Sequence, residues 1–148
     1  MSRADVASYE YLEEAATADI AFRAHGNTPE ELFIAAADAM MNVMVEDLAS
    51  IRPIVERTIH LENDSRDMLL FDFLNDLIYY KDAELLLRVP ELQIDQGREP
   101  FVLRARAVGE ALDPDRHHTR VDVKAVTLHK FSLEQADGGW TAFVVLDI

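Results

Sequence analysis

The chain of 148 residues contains no cysteine, only three lysines and no long apolar run. The absence of cysteine excludes disulfides, thiolate metal sites and cysteine nucleophiles, and it is compatible with a reducing cytosol. No apolar run approaches the roughly 20 residues that a membrane-spanning helix needs. Residues Met1 to Ala7 do not join a basic start to an apolar stretch, so we expect no secretory signal. These absences together predict a cytoplasmic protein that contacts no membrane.

Positive charge is also scarce, because 28 acidic residues face 14 basic ones and the net charge is −14. Proteins bind nucleic-acid backbones through clustered Lys and Arg, and no basic block exists in this chain. We therefore expect no stable direct complex with nucleic acid. A basic protein surface or a metal ion is a better partner for such a surface. The alternative is that the acidity serves only solubility or reflects a salty habitat.

Hydropathy patterns predict six strands and two helices in a single domain, residues 1–148. The helix over 29–45 begins with Thr28 as N-cap and Glu31 in a capping box, and its apolar stripe includes a methionine cluster that we interpret as core filling. Asp64 or Ser65 caps the second helix. Pro90 predicts an edge or a bulge in its strand. The predicted strands cover residues 18–25, 54–62, 85–94, 101–108, 121–131 and 140–148.

The order of these elements predicts an α+β fold. Strand, helix, strand and helix are followed by four strands with mostly short connections, which is not the strict alternation of a doubly wound fold. We therefore predict two helices packed on one face of a largely antiparallel mixed sheet. The spacing is also consistent with a duplicated strand-helix-strand unit.

The histidines give little indication of a site. His117 and His118 follow a polar Asp113-Pro114-Asp115 stretch, and adjacent side chains of an extended chain point to opposite sides. We therefore predict that both lie in a solvated loop and do not share a metal. His25 and His129 are predicted to be surface histidines at strand ends.

The final two residues, Asp147 and Ile148, suggest a different kind of site. A terminal carboxylate next to the Asp147 carboxylate would place two negative groups side by side, and they repel unless a cation lies between them. Calcium, magnesium and manganese prefer such oxygen ligands. The alternative is that Asp147 is an ordinary exposed acid at a strand end.

Lys124 lies inside an apolar strand pattern, between Val123 and Ala125. A lysine in such a position either extends to solvent or pairs with a carboxylate. Asp19 and Asp147 are candidate partners if their strands are neighbours. The alternative is an exposed lysine on the solvent-facing side of the strand.

Four sets of residues, taken together, resemble the archease family. The opening motif is represented by Tyr9-Glu10-Tyr11-Leu12 and Thr17-Ala18-Asp19-Ile20, and the first helix by Thr28 to Met44. The second helix matches over Leu69 to Tyr79. The late motifs are Val123-Lys124-Ala125-Val126-Thr127 and Leu146-Asp147-Ile148. The motifs are short, but they occur in the family's order over nearly the whole chain.

The opening motif departs from the family at one point. The family usually has an acid and a histidine directly before Thr-Ala-Asp, whereas this chain has Glu13-Glu14-Ala15-Ala16 before Thr17. The departure keeps Asp19 and removes the histidine, which is typical of a divergent branch.

The resemblance implies an accessory protein and not a stand-alone enzyme. Archeases activate an RtcB-type RNA ligase, which joins RNA ends in tRNA splicing and RNA repair with GTP and a divalent metal. The activator promotes guanylylation of the ligase and multiple turnover. Carried over by position, Asp19, Asp147 and Ile148 would bind a divalent cation (calcium, manganese or magnesium), Ile148 through main-chain oxygens. Lys124 would assist at the same site, and GTP would be used by the ligase.

Two other classes of function remain open at this point. The chain could be a small metal-dependent phosphohydrolase that uses Asp19 and Asp147, although two carboxylates are few for that chemistry. It could also be an acidic chaperone or scaffold for a basic partner protein, in which case binding would depend on salt and not on these two residues.

Overall fold

The computed structural model describes residues 7–12 and 19–148. Its helices are α1 (Pro29–Met44), α2 (Arg66–Asp82) and the short α3 (Pro114–His117). Its strands are β1 (Ala7–Leu12), β2 (Asp19–Gly26), β3 (Val55–Asn63), β4 (Leu85–Asp95), β5 (Phe101–Ala111), β6 (Ala125–Ala136) and β7 (Gly139–Asp147). Within these residues, no helix is both long enough and apolar enough to cross a membrane.

The strands form two sheets, a four-stranded sheet in the order β1-β2-β7-β6 and a three-stranded sheet in the order β3-β5-β4. Every strand pair is antiparallel. The predicted α+β class is confirmed, and the difference from the expectation is that the strands divide between two sheets. Both long helices bridge the sheets, because α1 packs against β2 and β4 while α2 packs against β3, β4 and β6.

The sequence signals at the helix ends have the predicted structural roles. Thr28 is the N-cap of α1, and its Oγ1 accepts a hydrogen bond from the Glu31 amide at 3.1 Å. The Glu31 carboxylate accepts a hydrogen bond from the Thr28 amide at 3.0 Å, which completes the capping box. Ser65, not Asp64, caps α2. The predicted core methionines Met40 and Met41 are buried in the cluster that joins both sheets and both helices.

Three strand features can be compared with the predictions: β1 was not predicted, β6 begins later than predicted, and the bulge at Pro90 is as predicted. Tyr9 and Tyr11 give β1 a tyrosine face whose hydroxyls donate to Asn42 and to the Ala39 carbonyl of α1. Strand β6 begins at Ala125 and not at residue 121, because its partner β7 ends at Asp147, opposite Ala125. Pro90 lies at a bulge in the edge strand β4, as predicted.

The prediction that His117 lies in a solvated loop is wrong, because its side chain is fully buried. Residues 114–117 form the single turn of α3, which points His117 inward, whereas His118 is exposed as predicted. His117 Nδ1 accepts a hydrogen bond from the Asp113 amide at 2.9 Å, so the ring proton is on Nε2. Nε2 then donates to the buried Glu110 carboxylate at 3.0 Å.

Glu110 is the centre of this buried polar cluster. Its carboxylate also accepts from the Arg52 amide at 2.8 Å, from the Arg52 guanidinium at 3.1 and 3.2 Å, and from Arg116. Burial raises the pKa of Glu110, but the hydrogen bonds from Arg116, Arg52 and His117 lower it by more. The pKa of the carboxyl therefore lies below its ordinary value. The cluster joins the end of β5 to α3 and to the segment before β3.

We expect Glu110→Gln to lower the free energy of unfolding at pH 7 by about 2 kcal/mol, because neutral Gln accepts less strongly from two guanidinium groups. Because the pKa of Glu110 is lower in the folded state than in the unfolded state, its charge stabilises the fold at pH values above the unfolded pKa of about 4.3. This contribution is lost progressively as the pH falls from there toward the folded pKa. The difference between the wild type and the variant should therefore shrink from pH 7 to pH 3 in urea denaturation. The control is Glu56→Gln at an exposed ion pair with Arg106. Equal losses in both variants would contradict the cluster's role.

We expect Thr28→Ala to lower the free energy of unfolding by about 1 kcal/mol, because the Glu31 amide then loses its side-chain acceptor at the start of α1. Urea denaturation measures the change. Thr28→Ser keeps the hydroxyl and should stay close to the wild type. A Ser variant as unstable as the Ala variant would show that the cap is not the cause.

Candidate metal centre

The pairing of β2 with β7 places Asp19 directly opposite Asp147. Residues directly opposite in an antiparallel pair project from the same face, with β-carbons about 4.5–5.5 Å apart. The two strands come from opposite ends of the chain, and the register is the same along their whole length, from Asp19 opposite Asp147 to Gly26 opposite Trp140. Both aspartates are partly buried. The structure thus brings together the two acids that the sequence singled out.

Apolar packing fixes this register. Phe22 lies opposite Val144 and Ile20 opposite Leu146, and Phe22, Val144 and Leu146 are fully buried. A shift of one residue would turn these side chains away from the core, so the arrangement resists slippage. The position of Asp19 relative to Asp147 is therefore a consequence of core packing and needs no attraction between the acids themselves.

The acid pair carries an electrostatic cost. Like charges directly opposite on a sheet destabilise the pair, and neither aspartate forms an ion pair with another described residue. A divalent cation between the carboxylates would convert this repulsion into two attractions. Carboxylate oxygens are the ligands that calcium, magnesium and manganese prefer. The chemistry of the donor pair therefore fits such a cation.

The protein supplies only part of a coordination shell. Over residues 7–12 and 19–148, no group of three or more His, Cys, Asp or Glu side chains is arranged around a common point. Calcium and magnesium take six or more oxygen ligands, so water, main-chain oxygens or a second molecule would have to supply the rest. The arrangement suits an open site in which two aspartates hold one side of the ion.

Lys124 approaches this site through its backbone. Its amide donates a hydrogen bond to the Asp147 carbonyl at 2.8 Å, and the next residue, Ala125, lies opposite Asp147 in the β6–β7 pair. Its side chain is exposed, and its ammonium is not within ion-pair distance of Asp19 or Asp147. Of the two alternatives, the structure has the exposed lysine, and an assisting role for the ammonium stays a prediction.

Ile148 is held at the same place by its side chain. The side chain is partly buried and packs against the hydrophobic core. This packing fixes the main chain directly after Asp147, where its oxygens were predicted to contribute to the site. That contribution also stays a prediction. Thr17, Ala18 and the segment Glu13 to Ala16, where the family's histidine is missing, lie outside the described residues.

One feature of this end of the molecule was not predicted. Residues 118–124, which we call the connecting segment, run from α3 to β6 and deliver Lys124 to Asp147. The segment follows the end of α1, because the Arg120 amide donates to the Met44 carbonyl at 2.8 Å and Thr119 bridges to Val45. The sequence pattern was interpreted as the first part of a strand, since Val121 and Val123 alternate with polar residues.

Comparisons with known proteins agree with this architecture. The model of the Archease protein family matches residues 9–148. The protein archease of Pyrococcus furiosus is 39% identical over 134 residues, which cover 89% of this chain and 94% of that protein. The protein archease of Methanosarcina mazei is 38% identical over 144 residues, 95% of each chain.

Two solved structures have the same fold. The solution structure of Methanobacterium thermoautotrophicum protein 1598 has a TM-score of 0.81 and 33% identity, and the match covers 95% of this chain and 98% of that one. The crystal structure of a Thermotoga maritima protein described as an "archease, possible chaperone" has a TM-score of 0.60 at 19% identity, with 94% and 99% covered, and it supports the fold alone. The resemblance inferred from the short motifs is confirmed: the chain belongs to the archease family.

Proposed function

We propose that this protein is a non-catalytic activator of an RtcB-type RNA ligase, and that it acts through a divalent cation held by Asp19, Asp147 and the main chain of Ile148. The observation that carries the proposal is the register that places Asp19 opposite Asp147, the residue before Ile148. Family membership supports the choice of partner. The ligase guanylylates itself with GTP, and the activator promotes this step and repeated turnover.

The open geometry supports an accessory role over catalysis. A phosphohydrolase needs a general base and a fuller set of metal ligands near the reacting phosphate. The described residues offer two carboxylates on one side of the site and no third acid or histidine that converges on them. When bound, a divalent cation would offset negative charge on the phosphates of GTP. The two aspartates would orient the ion while the ligase supplies the nucleophile.

The overall charge supports a protein partner. A net charge of −14 disfavours direct contact with RNA and favours approach to the basic surface that an RNA-binding enzyme presents. The same property underlies the chaperone-like alternative, in which the acidic surface alone binds the partner. The Thermotoga maritima relative is described as a possible chaperone. The activator and chaperone hypotheses differ in whether the partner's response requires Asp19 and Asp147.

We expect the protein to raise the guanylylation of its RtcB-type ligase, and expect Asp147→Ala and deletion of Ile148 to abolish the increase. The measurement is transfer of labelled GTP to the purified ligase, with the activator present below the ligase concentration to require turnover. Circular dichroism checks that both variants fold. Glu134→Ala removes an exposed acid from β6 of the same sheet and serves as the matched control.

Normal stimulation by Asp147→Ala and by the Ile148 deletion would refute the site. Stimulation that is lost with added salt but is indifferent to both changes would favour the acidic scaffold instead. Release of phosphate from a nucleotide by the protein alone, with manganese, would favour the phosphohydrolase.

We expect the sign of the Asp147→Asn effect on stability to depend on the cation. Without divalent metal, the variant should be more stable than the wild type by about 0.5 kcal/mol, because one of two facing charges is removed. With excess manganese, the wild type should gain stability by mass action, whereas the variant should gain much less. Urea denaturation with EDTA and with manganese measures both differences, and Glu134→Gln is the control. A manganese effect of equal size in both proteins would show that the ion binds elsewhere.

A further inference from the structure

We propose that Lys81 is a positioning residue for the candidate metal centre, and that it acts by holding Asp122 and with it the connecting segment that delivers Lys124 to Asp147. This inference rests on the proposed function for its final readout. Its structural step does not depend on that function. No role was predicted for Lys81 or Asp122 from the sequence.

Lys81 lies in the last turn of α2 and is one of the few buried charged residues, with its side chain only 9% exposed. Its ammonium donates to Asp122 Oδ1 at 2.6 Å and to Asp82 Oδ1 at 2.5 Å. A buried ammonium without such partners would be strongly unfavourable. Burial lowers the pKa of Lys81, but the hydrogen bonds to Asp122 and Asp82 raise it by more, so the residue stays charged at neutral pH.

The two carboxylates are not equivalent in what they hold. Asp82 follows Lys81 directly in α2, so its ion pair stays within one helix. Asp122 belongs to the connecting segment and lies 41 residues after Lys81 in the chain. The bond from Lys81 to Asp122 therefore joins the end of α2 to the segment two residues before Lys124, whereas the bond to Asp82 joins α2 only to itself.

Apolar packing of this part of the segment is incomplete. Residues 119–122 border an open cavity of about 330 Å³, whose other walls include Met44, Leu86 and Leu112. Val121 is 39% exposed, and the next deeply buried side chain is Val123. Between the bond of Arg120 to Met44 and the burial of Val123, the polar contact that these described residues make with the rest of the fold is the ion pair of Asp122 with Lys81.

Beyond Val123 the chain reaches the candidate site at once. The Lys124 amide bonds to the Asp147 carbonyl at 2.8 Å, and Ala125 pairs with Asp147. The carbonyl of Asp147 thus has a partner only if residues 122–124 keep their path. Loss of the Asp122 contact should loosen this bond first and then the orientation of the Asp147 side chain relative to Asp19.

The test compares four variants with the wild type. Asp122→Asn and Lys81→Met both break the contact between α2 and the connecting segment, and Asp82→Asn removes the other ion pair of the same ammonium as the matched control. The first readout is hydrogen exchange of the Lys124 amide, measured by NMR. We expect exchange to speed up about tenfold or more in Asp122→Asn and Lys81→Met and to stay near the wild-type rate in Asp82→Asn, since local opening sets the exchange of a bonded amide. Lys81→Arg, which keeps the charge, should restore protection.

The second readout is manganese affinity, measured by calorimetry, together with stimulation of ligase guanylylation. We expect about tenfold weaker manganese binding for Asp122→Asn and Lys81→Met, in the range found when residues that orient metal ligands are changed. Asp82→Asn should bind as the wild type does. A general loss of stability would affect Asp82→Asn and Asp122→Asn alike, so the contrast between these two variants separates positioning from stability.

The outcomes distinguish this inference from the proposed function. If Asp122→Asn leaves the Lys124 amide as protected as in the wild type, the inference is overturned whatever the metal does. If the amide is exposed in Asp122→Asn and the wild type binds no manganese, the positioning stands and the proposed function fails. Faster exchange with unchanged manganese affinity would show that Lys81 does not position the metal centre, and it would leave the proposed roles of Asp19 and Asp147 unaffected.

Discussion

The pairing of β2 with β7 is the constraint on which the rest of the site depends. It joins the second strand to the last one and sets Asp19 against Asp147 in the same register that buries Phe22 and Val144. Because side chains alternate along a strand, the packing of one face determines which residues share the other. The hydrophobic core therefore holds the two acids together against their mutual repulsion. An electrostatic cost at one edge is tolerated because a much larger apolar interface enforces it.

The neighbouring elements keep this edge in place from three directions. The side chain of Ile148 packs on the core and fixes the chain after Asp147. The connecting segment adds a backbone bond from Lys124 to the Asp147 carbonyl. On the other side, β1 pairs with β2 and is tied to α1 through Tyr11 and the Ala39 carbonyl. Asp147 thus lies at the end of the inner strand β7, between β2 and β6, and its backbone has little freedom there.

Much of the fold could be predicted from the sequence, because its signals are local. The capping box at Thr28 and the bulge at Pro90 follow from single residues whose backbone preferences are strong. The apposition of Asp19 and Asp147 was accessible only through the family resemblance, since no local pattern says which strands become neighbours. The division into two sheets was missed for the same reason, because strand order depends on long-range pairing.

The failures have a common physical cause. His117 was interpreted as a loop residue because its neighbours are polar, but its ring bonds to the buried Glu110 carboxylate, which is in turn held by Arg52, 58 residues away along the chain. No role was predicted for Lys81, because its buried position depends on Asp122, which lies 41 residues further along the chain. Buried polar clusters are assembled from distant segments, and their members look like surface residues in the sequence. The Asp113-Pro114 start of a short helix was the one local signal that could have indicated an inward turn at His117.

The openness of the candidate site also bears on how the proposed function would be regulated. Two carboxylates supply at most four oxygens, fewer than the six that magnesium requires in near-octahedral geometry. An ion held by Asp19 and Asp147 alone would keep several waters and would bind weakly. If the ligase supplies further ligands, the cation strengthens the complex, and by linkage the ligase strengthens cation binding by the same factor. The site would then fill with metal mainly when the partner is docked, so a protein with an incomplete site is better suited to deliver an ion at an interface than to hold one in solution.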